Sequence, residues 1–482
     1  MGVLTGIEPQ KVFDYFETLC SIPHGSGNTK QISDYIASFA KERGLKYMQD
    51  EHDNLIIWKN GTDGYENSGT VILQGHIDMV CEKEEGLDFD FEKDGLKLRA
   101  ENGIISADGT TLGGDDGIAV AYCLAILDSD DIPHPPLEVV LTTDEEIGML
   151  GAAAMDMSPI KGRKLINIDS EDEGYLLVSC AGGVTTKAVV PIQRAPFDGM
   201  RIKLQISGLI GGHSGIEIDK GRANANTLLG RMLFGASKSV DFVIESVKGG
   251  LKDNAIPRSS EAVIATKTDK DAEKLLGVIK KYSEMFSHEY RVTDPDITVS
   301  ADKCEGSFMP MDKTSTEKVI AALVNLPCGI ERMSFDIEGL VQTSLNLGIL
   351  ETNEKDETFS FAVRSSVESE TNALVEKITC LTEILGGHVE NNGAYPAWEY
   401  RANSPLRDLF VEVFEKQYGR KPVVQALHAG VECGLFAGKL DGLDAISFGP
   451  DMKDIHTPNE TMSVDSVKRT WDYLLEVLAS LK

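Results

Sequence analysis

Apolar positions recur at helical spacing through residues 8–44, with Val12, Phe13, Phe16 and Leu19 followed by Ile32, Tyr35, Ile36 and Phe39. The turn-rich stretch CSIPHGSGN divides them into two helices. Four compact apolar runs come next: LIIW (55–58), VILQGHIDMV (71–80), LEVVLTTDEE (137–146) and KLINIDS (164–170). Short runs rich in Val and Ile predict buried strands of a largely parallel sheet. Between the second and third, GIAVAYCLAILDS (117–129) has the length and composition of a helix. Strand, helix and strand make the βαβ rhythm of an α/β domain.

The pattern changes near residue 186. RIKLQISGL (201–209), SSEAVIATKT (259–268) and TFSFAVRSSV (358–367) alternate like strands with one covered and one open face. Helical segments such as ANANTLLGRMLFGAS (223–237) and DAEKLLGVIKKYSEMFS (271–287) lie between them, predicting an α+β domain. After about residue 396 the α/β style returns, with a helix at 405–418, the strand AISFGP (445–450) and a C-terminal helix from Ser463. The expected organisation is one discontinuous domain, 1–186 and 396–482, interrupted by a second at 187–395.

Composition narrows the function. A chain of 482 residues exceeds one ordinary core, and 41% hydrophobic residues with 46 glycines fit a globular protein. The balance of 47 basic against 77 acidic residues, a formal −30, would repel phosphates, so no nucleic-acid partner is expected. No apolar run of about 18 residues is present, so no membrane span is expected. The N-terminal stretch has neither the basic start nor the apolar core of a secretory signal, and fits a myristoylation signal poorly. Eight scattered cysteines without a CxxC pair suit free thiols in a reducing cytoplasm, and leave metal chemistry to oxygen and nitrogen ligands.

The chemistry-bearing residues stand where the apolar runs end, the place where open α/β sheets build their sites. VILQGHIDMV delivers His76 and Asp78, two apart and so on one side of an extended chain. TLGGDDGIAVA sets Asp115 and Asp116 before a helix, and LTTDEEIGMLGA carries Asp144, Glu145 and Glu146. INIDSEDEG ends in Asp169, and DIHTPNE supplies His456. Judged singly, each has a plainer reading: a hydrogen-bonded histidine, an N-cap, a solvated acidic face. Together they would crowd negative groups into one crevice, which repel unless cations neutralise them. Mixed imidazole and carboxylate ligands without thiolate favour zinc, manganese or cobalt over calcium. Five such ligands suit two metals sharing one carboxylate.

In this order GHIDMVCEK, TLGGDDGIAVA, TTDEEIGMLGA, NIDSEDEG, GGHSG, HAGVECGLF and IHTPNE resemble the two-zinc aminoacylase and carboxypeptidase superfamily of metallopeptidases. They are most similar to its aminoacyl-histidine dipeptidase branch, also called peptidase D or Xaa-His dipeptidase, over nearly the whole chain. The resemblance implies an α/β zinc-binding catalytic domain, its mostly parallel mixed sheet flanked by helices and interrupted by an inserted α+β lid domain. It implies that Asp115 bridges two zinc ions, with His76 and Asp169 on one and Glu146 and His456 on the other. Glu145 would be the general base and Asp78 the residue that orients His76, while a cis peptide would join Asp115 to Asp116. In the lid, His213 of GGHSG would stabilise the oxyanion, often in a partner subunit's site. Asn254 and Arg364 would hold the substrate backbone and its terminal carboxylate, the latter through the two-pronged guanidinium. His428 and Glu432 fall near the site with roles left open. The implied activity is hydrolysis of small peptides, Xaa-His dipeptides of the β-Ala-His type first and other dipeptides beside them. The same metals would serve a tripeptidase or an N-acyl amino-acid deacylase. A non-catalytic metal-binding protein would have lost Glu145 or a ligand, and none is lost. The resemblance also implies a homodimer through the lid.

Overall fold

The computed structural model describes residues 2–306 and 308–482; Met1 and Ser307, and with Met1 the start of the N-terminal segment discussed above, lie outside the described residues. The chain forms two compact units. One comprises Met1–Cys180, Tyr400–Ala426 and Val431–Lys482, the other Ala181–Glu399 with Leu427–Gly430. The unit boundaries fall a few residues from those read in the sequence. Leu427–Gly430, which the sequence reading left with the α/β part, group with the other unit.

The first unit is built on an eight-stranded mixed sheet. In spatial order its strands are Lys46–Gln49, Leu55–Lys59, Leu137–Thr142, Val71–His76, Lys164–Asn167, Asp444–Ser447, Tyr175–Cys180 and Val423–Leu427. The parallel part is the centre, where 71–76 pairs with 137–142 and 164–167, and 444–447 with 164–167. Both 71–76 and 137–142 are buried at every position, as a sheet covered on two faces requires. Strands 71–76, 137–142 and 164–167 stop short of their predicted ends, and the residues beyond (Ile77 to Val80, Thr143 to Glu146, Ile168 to Ser170) turn away to carry side chains into the site.

Helix Gly114–Leu127 crosses this sheet against helix Gln10–Cys20 and strand 71–76. Every residue from Ile118 to Leu127 is at most 3% exposed. Each large aliphatic side chain so buried contributes about 1.5–3 kcal/mol, which makes this helix a rigid seat for the acidic pair at its start. At the far end of the chain Ser463 caps helix Val464–Ser480 by accepting from the Ser466 N–H. Thr461–Ser463 pairs with Ile104–Ala107 in a small four-stranded sheet, which fixes the loop that holds His456.

Among the described residues the second unit carries a nine-stranded sheet and four long helices, including Ala225–Ser237, capped by Asn224, and Asp269–Glu289, capped by Thr268. Strand Met200–Ser207 alternates in burial as expected. Strand Asp356–Ser365 does not: it lies between the long strands Val341–Thr352 and Gly182–Pro191, and both of its faces are buried. Phe359, Phe361 and Val363 join the apolar core of this unit, while Thr358, Ser360 and Arg364 are buried on the opposite face. Among the described residues no helix is long and apolar enough to cross a membrane, and no disulfide joins the cysteines.

Candidate metal centre

Five residues scattered over nearly 400 positions converge in the first unit. Asp115 lies between two imidazoles and turns one oxygen to each: Oδ1 is 3.1 Å from His76 Nε2, and Oδ2 is 3.1 Å from His456 Nε2. Asp169 Oδ1 stands 3.6 Å from His76 Nε2, and Glu146 Oε1 lies 3.0 Å from His456 Nε2. His76, Asp115 and Asp169 are largely buried, while His456 is 44% exposed at its side chain, so the cluster opens to solvent at that end. Donor atoms 3.0–3.6 Å apart suit ligands of a common ion, since bonds of about 2.0–2.1 Å in a tetrahedron put ligand atoms about 3.3 Å from one another.

The local backbone is shaped for this convergence. Asp144 and His456 adopt left-handed conformations, φ +53 and +62, in the two loops that present Glu145, Glu146 and the second imidazole. The Asp115–Asp116 peptide is cis. Asp116 engages the main chain of His76: its Oδ2 accepts the His76 N–H, and its Oδ1 is buried without a partner. Asp116 could also join His76 and Asp169 in a three-residue ligand group. Asp115 is the member of the pair whose oxygens approach the imidazole rings themselves.

The charges are out of balance in a way that calls for cations. Burial alone lowers the His76 imidazole, but Asp115, Asp169 and Asp78 outweigh it and hold it well above its usual value. Hydrogen bonds to Asp115 and Glu146 raise His456 to about 10. Asp115 is pushed up by burial, yet the two imidazoles hold it well below the usual carboxylate range. Asp169 goes the other way, driven well up by burial that His76 only partly offsets. Burial, with Glu432, Glu146 and Asp115 nearby, lifts Glu145 to about 8 against the pull of His76. Two imidazoles stand among five carboxyl groups, Asp78, Asp115, Glu145, Glu146 and Asp169, more than a single positive charge on each ring could offset. Divalent ions would supply the missing charge, and the donor set of imidazole and carboxylate without thiolate fits zinc, manganese or cobalt.

Asp78 does more than the sequence suggested. His76 Nδ1 lies nearer the Asp78 main-chain oxygen (3.0 Å) than its carboxylate (3.4 Å), so the carbonyl is the better acceptor for the imidazole proton. The carboxylate instead gathers the turn that follows the neighbouring strand, accepting from the N–H groups of Glu145 (3.1 Å) and Glu146 (3.3 Å) and from the Ser26 hydroxyl (2.8 Å). Gly27, next to Ser26, donates its N–H to Asp144 at 2.7 Å. Beneath the site, Glu432 Oε2 accepts from Gln74 (2.5 Å) and Thr142 (2.7 Å), and Gln74 Oε1 from Asn167 (2.6 Å). Gln74 and Asn167 each lie two residues before a predicted ligand, so a buried polar layer supports His76 and Asp169. Burial raises Glu432 to about 7.

In the second unit the remaining predicted residues form their own group. Gly212–His213 pairs with Ala255–Ile256, and the Ser214 N–H donates to the Asn254 carbonyl at 2.8 Å, which brings His213 and Asn254 side by side. His213 Nδ1 accepts from the N–H groups of Gly215 (3.1 Å) and Ile216 (3.2 Å). An Nδ1 that accepts leaves the ring proton on Nε2 as a donor, and burial with Arg364 nearby lowers the pKa of the ring. Arg364 is only 8% exposed, donates to the Tyr395 hydroxyl at 2.7 Å, and has its Nε buried without a partner. His428 contacts Ser344 Oγ at 2.7 Å, and burial with Arg364 and His213 nearby lowers it to about 3. Asn254 is exposed. Ser26, Gln74 and Glu460 were not among the residues singled out from the sequence, because their partners lie in distant loops and strands.

Residues 72–480 match Peptidase family M20/M25/M40. The chain is 36% identical over 483 residues to the cytosol non-specific dipeptidase of Escherichia coli (strain K12), spanning 100% of this chain and 99% of that protein. The crystal structure of aminoacylhistidine dipeptidase from Vibrio alginolyticus superposes with a TM-score of 0.94 at 36% identity, over 100% of this chain and 98% of that one. Aminopeptidase PepT from Bacillus cereus is alike in fold alone, with a TM-score of 0.56 at 17% identity over 98% and 99% of the two chains. The chain belongs to peptidase family M20/M25/M40 and is a metallopeptidase.

Proposed function

We propose that this protein is a dipeptidase that hydrolyses Xaa-His dipeptides of the β-Ala-His type, and other dipeptides beside them, at the cluster around Asp115. The observation that carries the reading is the division of Asp115 between His76 and His456, the Nε2 of each imidazole flanked by one more carboxylate. It is supported by end-to-end likeness to a cytosol non-specific dipeptidase and to an aminoacylhistidine dipeptidase. His76 and Asp169 would hold one zinc, Glu146 and His456 the other, and Asp115 both, with manganese or cobalt as substitutes. Such ions, when bound, supply Lewis acidity and bring the pKa of a nearby water towards neutrality.

Glu145 takes the proton of the attacking water and passes it to the leaving amine. Asp78 keeps that carboxylate in place through the main-chain turn it gathers. We read the first unit as the catalytic domain and the second as the lid. From the lid, the Nε2–H of His213 would stabilise the oxyanion, and Arg364, with an unmatched buried donor, would hold the terminal carboxylate. Asn254 and His428 would contact the substrate beside them. The same reading makes the protein cytoplasmic and homodimeric through the lid.

A panel of Gly-His, β-Ala-His, tripeptides and N-acetyl amino acids, each with zinc, manganese and cobalt, tests the assignment. A dipeptidase should favour dipeptides over the acylated amino acids in kcat/KM by at least about 100-fold, the discrimination reached by a site built to hydrogen-bond a polar group that the analogue lacks. Activity confined to tripeptides or to acylated amino acids would replace the reading. Asp78→Asn should lower kcat or cation affinity by about 10–100-fold, the usual effect of losing a group that orients ligands. Steady-state kinetics with a cation titration measure it, and native values in that variant would remove Asp78 from the site.

A further inference from the structure

We propose that Glu460 is a positioning residue that ties the loop carrying Asp115 to the loop carrying His456 and so sets their spacing, an inference that rests on the reading of those two residues as ligands. Glu460 follows His456 by four residues and directly precedes strand Thr461–Ser463. Only 3% exposed, it reaches three consecutive main-chain N–H groups: Leu112 (2.8 Å) and Gly113 (3.2 Å) at Oε2, and Gly114 (2.8 Å) at Oε1. These are the three residues immediately before Asp115. Gly113 is left-handed, φ +66, a conformation that lets successive N–H groups converge on one acceptor.

The choice of a carboxylate is informative. A further buried acid beside Asp115 adds repulsion to a region already rich in negative groups. Only a carboxylate, however, offers acceptors to three N–H groups without presenting a donor of its own. A glutamine would turn its NH2 against one of them. The pairing of Thr461–Ser463 with Ile104–Ala107 braces Glu460 from behind, so its grip on residues 112–114 is transmitted to Asp115. The 3.1 Å approach of Asp115 Oδ2 to His456 Nε2 is then set at both ends by one side chain.

The test is a competitive-chelator titration of the cation-free chain with zinc, repeated with cobalt and followed by its absorption spectrum, for the native protein, E460Q and D115A. In E460Q the affinity for the weaker-held cation should fall at least about tenfold with an altered cobalt spectrum, and kcat at saturating cation should return to within about threefold of native. Native affinity in E460Q overturns the proposal, as does a low kcat that saturating cation fails to restore. Should E460Q fail to fold, Gly114→Ala perturbs the same cradle: its Cβ would stand 3.2 Å from Glu460 Oε1 and 3.1 Å from Met452 Sδ. The same loss of affinity is expected there, and native affinity overturns the proposal. Native cation binding by D115A would instead remove Asp115 as a ligand. Loss in D115A with native binding in E460Q and G114A would sink the Glu460 proposal alone.

Discussion

Asp115→Ala should yield a folded protein that holds neither cation and has lost at least about 10^4-fold in kcat/KM, roughly 5 kcal/mol of transition-state stabilisation. The size follows from position. Asp115 is the group, among the described residues, whose two oxygens meet two different imidazoles. Its removal leaves the Nε2 of each imidazole one carboxylate partner, Asp169 or Glu146, with nothing shared between the two halves. The fold should survive, because helix 114–127 is held by the burial of Ile118–Leu127 and not by its first turn. Elemental analysis, circular dichroism and dipeptide kinetics on one preparation check all three statements. A variant that retains two cations and turnover would refute the bridging role.

Glu145→Gln should do the opposite at the metals and nearly the same to turnover. The substitution keeps the shape of the side chain and the main-chain bond from its N–H to Asp78, so both cations should stay. It removes the carboxylate that accepts a proton, a contribution of about 10^2–10^4-fold to kcat. The environment favours a base: burial and the carboxylates of Glu432, Glu146 and Asp115 lift Glu145 to about 8, and bound cations would bring it down into the range where it is ionised at neutral pH. KM should change by no more than a few-fold, because the base acts in the transition state. Loss of a cation would make Glu145 a ligand, and native kcat would place the base elsewhere.

The position of Glu145 was legible in the sequence for a physical reason, whereas Asp115, set before a helix, took its role from the family resemblance. Parallel strands buried on both faces are long apolar runs, and a carboxylate or imidazole that ends such a run is conspicuous. His76, Glu146 and Asp169 stood out in this way, and the structure brings them together with Asp115 and His456. What could not be read is whatever depends on main-chain atoms far away in sequence. Asp78 was expected to orient His76; its nearer contact there is through its carbonyl, and its carboxylate serves the turn at 145–146. Ser26 reaches Asp78 across 52 residues, and Glu460 reaches Leu112 across 348. Nothing in CSIPHGSGN or HTPNE announces such partners. In the second unit, TFSFAVRSSV alternates like a half-exposed strand and allowed Arg364 to be a surface residue. Its place in the middle of a nine-stranded sheet buries it. The loop containing His428 sits amid α/β sequence, yet its contacts group it with the other unit.

Removal and return of cations tests the central claim most directly. The purified chain should contain about two divalent ions and hydrolyse β-Ala-His or Gly-His. Stripping the ions with a chelator should abolish turnover while leaving the fold cooperative, and adding back zinc, manganese or cobalt should restore it with an end point at about two equivalents. Undiminished dipeptide hydrolysis by the stripped protein would contradict the account.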